Sequence, residues 1–242
     1  MELIYLHHSG FAILTEQCTV IIDFYEDSLS ENEGILHNEI LNREGKMYVL
    51  ASHFHADHFN KQIFEWENNK KDITYVLSND IRKRRKITSS SVNWLKKGET
   101  FCDELIKVKA FGSTDVGISF MIEIQGKKIF HAGDLNNWHW MEESSEEEWK
   151  RDEKKFLKEI ELISNEYPNI DLAMFPIDPR LGKEYMRGGI QFTQAIKTSV
   201  FIPMHFWGDF NSANEFQQYA KDKGIQSPLI THRGQIFKKL LL

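Results

Sequence analysis

The stretch SHFHADHF, residues 52–59, holds four strong metal-ligand side chains, His53, His55, Asp57 and His58. It follows the run KMYVLAS, residues 46–52, whose continuous apolar character is typical of a strand buried on both faces. The cluster is therefore predicted to occupy the loop at the end of a buried strand. Imidazole and carboxylate groups are ligands for zinc and other divalent transition metals. One such loop rarely fills a coordination sphere, so we expect further ligands at the ends of other strands.

Two later segments supply such ligands. FHAGDLN, residues 130–136, places Asp134 just after an apolar strand, and PMHFWGD, residues 203–209, places His205 just after another. Three ligand-bearing loops at strand ends indicate one shared metal centre more strongly than a set of surface or helix-capping histidines. His131 lies three positions before Asp134, and the alternation of side chains along a strand favours a core or supporting role for it.

The composition limits the class of protein. The chain has 242 residues, of which 41% are apolar and 27% charged, as expected for one globular domain spanning residues 1–242. No apolar run approaches the length of a membrane span, and the N-terminus lacks the basic start and long apolar stretch of a signal peptide. The two cysteines, Cys18 and Cys102, are far apart and in no metal-ligand spacing. We therefore expect a cytoplasmic protein without a membrane segment.

The charge distribution argues against a protein built to coat nucleic acid, because the formal net charge is −6. The local exception is the run IRKRRK, residues 81–86. This run is either a contact patch for phosphate or RNA, or the solvated face of a helix. No aromatic side chains interleave its charges, so the sequence favours the helix face.

Strand patterns dominate the first part of the chain and alternate with helices in the second. Ser145 and Glu148 form a capping-box pattern that predicts the start of a helix, and further helices are predicted near residues 185–198 and 213–223. No internal repeat or low-complexity linker interrupts the chain. This order of elements predicts packed sheets with helices outside them.

These motifs together resemble the metallo-β-lactamase fold superfamily of metal-dependent hydrolases, in particular the branch that includes ascorbate-6-phosphate lactonase-like proteins. The resemblance rests on LHHSGFAILTE and VIIDF near the N-terminus, on SHFHADHF, on HAGD and on PMHF, in that order over essentially the whole chain. It implies an α/β (α+β) fold, a four-layer αββα sandwich with the metals at one edge, between the two sheets.

The resemblance also implies a set of metal ligands: His53 and His55 for a first metal, Asp57, His58 and His205 for a second, and Asp134 as a bridge. The family pattern usually adds one histidine to the first site, in a loop between the signature stretch and the bridging aspartate. This chain has no histidine between His58 and His131. The loop AFGSTDVGISF, residues 110–120, offers Asp115 instead, since a carboxylate can replace an imidazole at zinc. The alternative is that Asp115 caps a structural turn.

The implied function is hydrolysis by a metal-bound hydroxide of a small anionic ester, lactone or phosphate ester. One or two divalent ions are expected, zinc first and manganese or iron as alternatives, and Asp57 is the catalytic candidate because it could both ligate and orient the nucleophile. An RNA or phosphodiester nuclease is one alternative function. A non-catalytic metal-binding sensor or scaffold with a degenerate first site is the other. The expected partner is a small molecule rather than nucleic acid, and a homo-oligomer is left open.

Residues in and near the motif loops are candidates for supporting roles. Arg180, Trp138 and Trp207 are predicted to contact substrate, although Arg180 could instead pair with Asp178 and the tryptophans could belong to the core. His8 and Asp23 are predicted to support the ligands through hydrogen bonds, with a surface position as the alternative for His8.

Overall fold

Apolar strands build two β-sheets in the part of the chain that the structure, a computed structural model, describes, namely residues 1–87, 91–238 and 240. The strands of the first sheet are β1 (Glu2–His7), β2 (Gly10–Leu14), β3 (Cys18–Ile22), β4 (Lys46–Ala51), β5 (Ile73–Ser78), β6 (Val92–Leu95) and β13 (Gln235–Lys238). Their spatial order is β13-β1-β2-β3-β4-β5-β6, and β3 to β6 run parallel to one another.

The second sheet is formed by the later strands. These are β7 (Thr100–Cys102), β8 (Ile106–Phe111), β9 (Ser119–Ile124), β10 (Lys127–His131), β11 (Asn169–Pro176) and β12 (Lys197–Met204), in the spatial order β12-β11-β10-β9-β8-β7. Strands β10, β11 and β12 are parallel, whereas β7 to β10 form antiparallel hairpins.

Helices cover the outer face of each sheet. They are α1 (Ile35–Asn38), α2 (Asn79–Arg85), α3 (Glu146–Glu166), α4 (Arg187–Ala195) and α5 (Phe210–Asp222). Leu36 and Ile81 of the first two helices pack in the cluster on the outer face of the first sheet, whereas α3, α4 and α5 contribute to the larger core that contains the second sheet. None of the helices in the described residues is long and apolar enough to cross a lipid bilayer.

The arrangement is the predicted αββα sandwich, and the predicted fold class is confirmed. The capping box is also confirmed: Ser145 Oγ accepts from the Glu148 amide, and Glu148 Oε2 accepts from the Ser145 amide. The helix predicted over 185–198 is shorter, because β12 begins at Lys197. Strands β6 and β7 have no counterpart in the prediction, since they are three or four residues long and partly exposed.

The topology brings three loops to one edge of the sandwich. The carboxyl ends of β4, β10 and β12 lie there, and the loop that follows each strand carries one of the predicted ligand motifs. The carboxyl ends of parallel strands meet at the same edge of a sheet, which is where ligand sites form in such folds. Two sheets that face each other therefore present ligands to a common centre from opposite sides.

Candidate metal centre

Two neighbouring groups of His and Asp side chains stand out among the described residues, and in each group the ligand atoms all lie within 4.8 Å of one another. The first group consists of His53, His55, Asp115 and Asp134, and the second of His8, Asp57, His58 and His205. The structure thus brings together all seven predicted ligands and adds His8. Their roles as ligands stay predictions.

Asp134 lies between the two groups. Its Oδ2 atom is 3.2 Å from His53 Nε2, and its Oδ1 atom is 3.0 Å from His58 Nε2 and 3.3 Å from His205 Nε2. One carboxylate oxygen therefore faces each group. This is the position in which a bridging ligand, as predicted, would lie.

Asp115 lies at the open side of the first group. Its Oδ2 atom is 3.5 Å from His55 Nδ1, and His55 Nδ1 is in turn 3.0 Å from His53 Nε2. The side chains of His55 and Asp115 are 38% and 44% exposed, whereas that of His53 is fully buried. Asp115 therefore occupies the region in which the first site lacks its usual third histidine.

Close backbone contact fixes the loop that carries Asp115. Gly117 has φ +76, and a Cβ atom there would lie 2.2 Å from the Ser52 carbonyl oxygen and 2.4 Å from His53 Cβ. The next amide, that of Ile118, donates to the same Ser52 carbonyl at 3.0 Å. A side chain at this position would separate the two loops, so glycine is needed for their approach.

Asp23 supports a ligand in each group. The fully buried carboxylate accepts from His58 Nδ1 at 2.7 Å and from the Ser52 hydroxyl at 2.6 Å, both through Oδ2. Ser52 Oγ in turn lies 3.0 Å from His53 Nδ1, which donates to it. Because the Nδ1 atoms of both histidines are engaged, the Nε2 lone pairs are directed at the centre. Asp23 thus lies in the supporting position predicted for it.

Asp178 plays the same part for His205. It is fully buried, lies in the loop directly after β11, and accepts from His205 Nδ1 at 2.9 Å. The guanidinium group of Arg180 donates to both oxygens of Asp178, through Nε to Oδ1 and through Nη2 to Oδ2. The predicted alternative, a pair between Arg180 and Asp178, is therefore present, and the pair connects Arg180 to a candidate metal ligand.

The electrostatics of the centre favour a bound cation. Burial opposes ionisation of Asp134, yet the imidazoles of His58 and His205 hold the pKa of its carboxyl well below the usual value. Burial also opposes a charge on His58, but the carboxylates of Asp134 and Asp23 raise its pKa well above the usual range. The buried carboxylates therefore create a negative potential that attracts a cation to the centre.

Unpartnered buried atoms test whether a metal fits. His58 Nε2, His205 Nε2 and Asp134 Oδ1 are buried and have no hydrogen-bond partner of normal geometry among the described residues. Buried polar atoms are normally paired, so three orphans that face one point indicate a ligand between them. Imidazole nitrogens and carboxylate oxygens suit zinc. The residues therefore fit a divalent metal ion.

A cavity of about 420 Å³ opens next to both groups. Its walls are formed by His55, Asp57, Thr114, Asp115, Asp134, Trp138, Trp140, Asp152, Lys155, Arg180 and His205. Trp138 lies against the centre, since its Nε1 atom donates to the Asp134 carbonyl at 2.9 Å and its ring meets the edge of the His205 ring at 5.5 Å. A volume of this size is within the usual range of small-molecule sites.

Two of the three residues that are predicted to contact substrate line the cavity, and the third does not. Arg180 and Trp138 line the cavity, whereas Trp207 does not and instead packs on His8 with ring centroids 4.2 Å apart. Asp152 and Lys155 also line the cavity and have no counterpart in the prediction. They lie in α3, outside every ligand motif, and the packing of that helix brings them to the site.

Comparison with known proteins gives distant relatives along the full length. No protein-family model matches the chain. The UPF0173 metal-dependent hydrolase of Symbiobacterium thermophilum is 26% identical over 254 residues, with 98% of this chain and 99% of the relative covered. The similarity therefore extends beyond the motif loops to the whole sandwich.

Two solved structures share the fold at low sequence identity. Igni18, a metallo hydrolase from Ignicoccus hospitalis, has a TM-score of 0.70 at 19% identity, with 98% of this chain and 97% of that chain covered. The metallo-β-lactamase fold protein YhfI from Bacillus subtilis has a TM-score of 0.60 at 11% identity, with 98% and 100% covered. Together with the two sheets and the outer helices, these matches show that the chain has the metallo-β-lactamase fold.

Proposed function

We propose that the protein is a metal-dependent hydrolase of a small anionic ester, lactone or phosphate ester, with zinc as the metal. One observation carries the proposal: the two ligand groups, with Asp134 between them, open directly onto the cavity that Arg180 lines. The UPF0173 relatives, which are named as metal-dependent hydrolases, support the reaction class.

The chain's own residues have separate tasks in this proposal. A bound divalent ion supplies an activated water and a Lewis acid for the developing charge of the transition state. Asp57 borders the cavity with its side chain 20% exposed, and its Oδ2 atom lies 3.3 Å from His8 Nε2, so its carboxylate is placed to accept a hydrogen bond from the attacking water and orient it. Asp23 and Asp178 keep the ligand imidazoles in the required tautomer.

The anionic substrate class is argued from the cavity walls. Arg180 is 49% exposed although it pairs with Asp178, and it extends over the ring of Trp207 at 5.5 Å. Lys155 lines the cavity from α3 and pairs with Asp152 at 2.7 Å. A planar guanidinium group held in place by a carboxylate can still donate its outer N–H groups to a carboxylate or phosphate.

Metal content and turnover, measured together, test the proposal. Protein purified without added metal is analysed by elemental mass spectrometry and assayed on lactones, activated esters, phosphate monoesters and phosphodiesters. We expect about two metal ions per wild-type chain and about one in Asp115→Ala, with turnover that chelation abolishes. Asp152→Ala is the matched control, because it removes a carboxylate from the cavity wall but not from either ligand group.

Each other outcome has a definite meaning. One metal ion per chain in both the wild type and Asp115→Ala would assign Asp115 to a structural turn and indicate a mononuclear enzyme. Metal binding without turnover on any substrate class favours a sensor or scaffold. A chain that takes up no metal even after reconstitution contradicts the proposal.

Phosphodiester cleavage is a second candidate, and one contact favours it. The basic helix α2 packs against the signature loop: Arg84 lies over the Phe54 ring at 5.5 Å, and that ring is 4.6 Å from the ring of His55, which lines the cavity. A bound phosphate chain that leaves the cavity on this side would meet these charges.

A further inference from the structure

His8 is fully buried beside the second ligand group. Its Nε2 atom lies 3.3 Å from Asp57 Oδ2, and its ring centroid is 4.1 Å from that of His205 and 5.7 Å from that of His58. Neither of its ring nitrogens has a hydrogen-bond partner of normal geometry among the described residues. A buried imidazole without hydrogen-bond partners lowers the stability of the folded chain unless a group at the centre binds its lone pair or accepts its proton.

The backbone around His8 is held in an uncommon conformation. Seven non-glycine residues in the described part of the chain have positive φ, and four of them surround the second group: His8 at 56°, Asp23 at 47°, His205 at 62° and Trp207 at 50°. Hydrogen bonds hold this turn, since the His8 amide donates to Tyr5 Oη at 3.0 Å and the His205 amide donates to the His8 carbonyl at 3.2 Å. Such strain persists only where the surroundings over-determine it, and it clusters at ligand clamps.

The neighbouring histidine shows how specific this placement is. His7 points to the other side of the strand end, where its Nδ1 atom lies 3.4 Å from Glu26 and its ring stacks on Tyr25 at 5.4 Å. Trp207 packs on His8 from outside, at 4.2 Å between centroids, and separates it from solvent. Of the two adjacent imidazoles, only that of His8 faces the metal centre.

We infer that His8 is a further protein ligand of the second metal site, beside Asp57, His58, His205 and the bridging carboxylate of Asp134. The inference rests on the metal centre of the proposed function and specifies how its two sites differ. With Asp134 the second site then has five protein ligands, at least as many as the four that fill a closed zinc site, so no position is left open for substrate. The first group, whose His55 and Asp115 are exposed to the cavity, then holds the exchangeable metal that faces substrate.

Nuclear magnetic resonance of the wild-type chain tests the ligand assignment directly. Protein with ¹⁵N-labelled histidine is loaded with ¹¹³Cd²⁺, and the imidazole resonances of His8 are identified by their loss in His8→Gln. We expect the Nε2 atom of His8 to carry no proton and to show coupling to ¹¹³Cd. A protonated Nε2 without coupling would mean that His8 donates a hydrogen bond to Asp57, and this result would overturn the inference.

Metal release gives an independent test. Zinc-loaded wild type, His8→Gln and His7→Gln are mixed with excess chelator, and the loss of each ion is followed with time. We expect one fast and one slow ion in the wild type and in His7→Gln. In His8→Gln the affinity for the slowly released ion should fall by more than about 100-fold. Loss of a residue that only hydrogen-bonds to a ligand usually lowers metal affinity by about 10- to 100-fold, so a larger loss indicates a ligand.

The outcomes separate this inference from the proposed function. Two metals bound with identical release in His8→Gln and wild type overturn the inference but leave the hydrolase proposal intact. No metal in the wild type overturns both. If His8→Gln fails to fold, the cadmium coupling in the wild-type chain still decides the assignment, with His8 identified by selective labelling.

Discussion

At the scale of single residues, Asp23 connects the two ligand groups, directly to His58 and through Ser52 to His53. One of its oxygens accepts from both His58 Nδ1 and the Ser52 hydroxyl, and Ser52 accepts from His53. A ligand from each group therefore depends on a single buried carboxylate for its tautomer and ring orientation. Asp178, in contrast, contacts only His205 among the candidate ligands.

This difference predicts distinct effects of two matched substitutions. Asp23→Asn should weaken both metal sites, by about 10- to 100-fold each, because an amide nitrogen facing Ser52 or His58 cannot accept their protons. Asp178→Asn should weaken only the second site by a similar factor. The measurement is the number of metal ions retained per chain as chelator concentration rises, with the far-ultraviolet circular dichroism of each variant as the control for folding. Equal loss from both sites in the two variants would contradict the assignment.

At the scale of elements, helix α2 holds the signature loop from outside. The Phe54 amide donates to Asp80 at 3.0 Å, and Arg85 donates to the Phe54 carbonyl at 3.0 Å. Arg82, Lys83 and Arg84 are exposed, so most of the basic run is the solvated helix face that the sequence favours. Arg85 is different, because it is half-buried and positions the loop between two candidate ligands.

Neutralising the exposed charges distinguishes the two candidate functions. In a variant with Arg82, Lys83 and Arg84 changed to Gln, we expect hydrolysis of small esters to stay within about twofold of wild type, because these side chains do not line the cavity. Arg85 is retained because of its contact with Phe54. The measurements are steady-state kinetics and RNA binding as a function of salt. The nuclease would be favoured instead if RNA affinity in the wild type falls steeply with salt and the slope of log affinity against log salt concentration is smaller by about 2 in the variant.

The sequence predicts the elements that carry ligands better than the elements that shape the cavity. Asp57, Asp134 and His205 each follow a strongly apolar strand, so a local pattern reveals both the strand and its terminal ligand. Asp152 and Lys155 have no such signal, because on the sequence they belong to the charged face of a long helix. Their place in the cavity wall depends on how α3 packs, and single-sequence periodicity does not contain that information.

The sequence does not determine the roles of His8 and Asp178 for a related reason. Both lie in turns whose sequence gives their position in the chain but not their direction. His8 has a neighbouring histidine, His7, that points the other way. Which of the two imidazoles faces the metal centre depends on the positive φ at residue 8. Two hydrogen bonds hold that conformation: the His8 amide donates to Tyr5 Oη, and the His205 amide donates to the His8 carbonyl. The second is a tertiary contact that the local sequence does not reveal.

At the scale of the whole molecule, the metal centre joins the two sheets. The signature loop follows β4 of the first sheet, whereas Asp134 and His205 follow strands of the second. A bound ion therefore stabilises the folded sandwich against separation of its halves. At free metal about 100 times the dissociation constant, one site contributes about 2.7 kcal/mol to the free energy of unfolding.

Thermal unfolding checks this linkage. We expect zinc to raise the melting temperature of the chelator-treated protein by about 5 to 10 °C, from the usual shift per kcal/mol for a chain of this size. The measurement is differential scanning calorimetry over a range of free zinc. His205→Ala is the comparison, because it removes a candidate ligand from the second sheet and should reduce the shift. A melting temperature that does not depend on zinc would show that zinc does not bind preferentially to the folded chain.

Asp103 makes a second connection between the sheets, away from the metal centre. It lies between β7 and β8 of the second sheet, and its Oδ2 atom accepts from Lys46 at 2.8 Å and from Tyr48 at 2.7 Å, both on β4 of the first. Burial opposes its ionisation, but the hydrogen bonds from Lys46 and Tyr48 lower its pKa to about 2. The folded state thus favours the ionised carboxylate more than the unfolded chain does.

The pH dependence of this contact follows from the lowered pKa. Its stabilisation is complete above the unfolded pKa of about 4 and is lost as the pH falls towards about 2. Asp103→Asn should therefore lower the free energy of unfolding by about 1 kcal/mol at pH 7, after allowance for solvent screening, and by progressively less below pH about 4. Urea titrations of metal-free protein at several pH values measure the difference. Glu104→Gln is the control, since Glu104 is 74% exposed and 3.8 Å from Lys46. A difference between wild type and Asp103→Asn that stays constant with pH would exclude the ionised carboxylate as the cause.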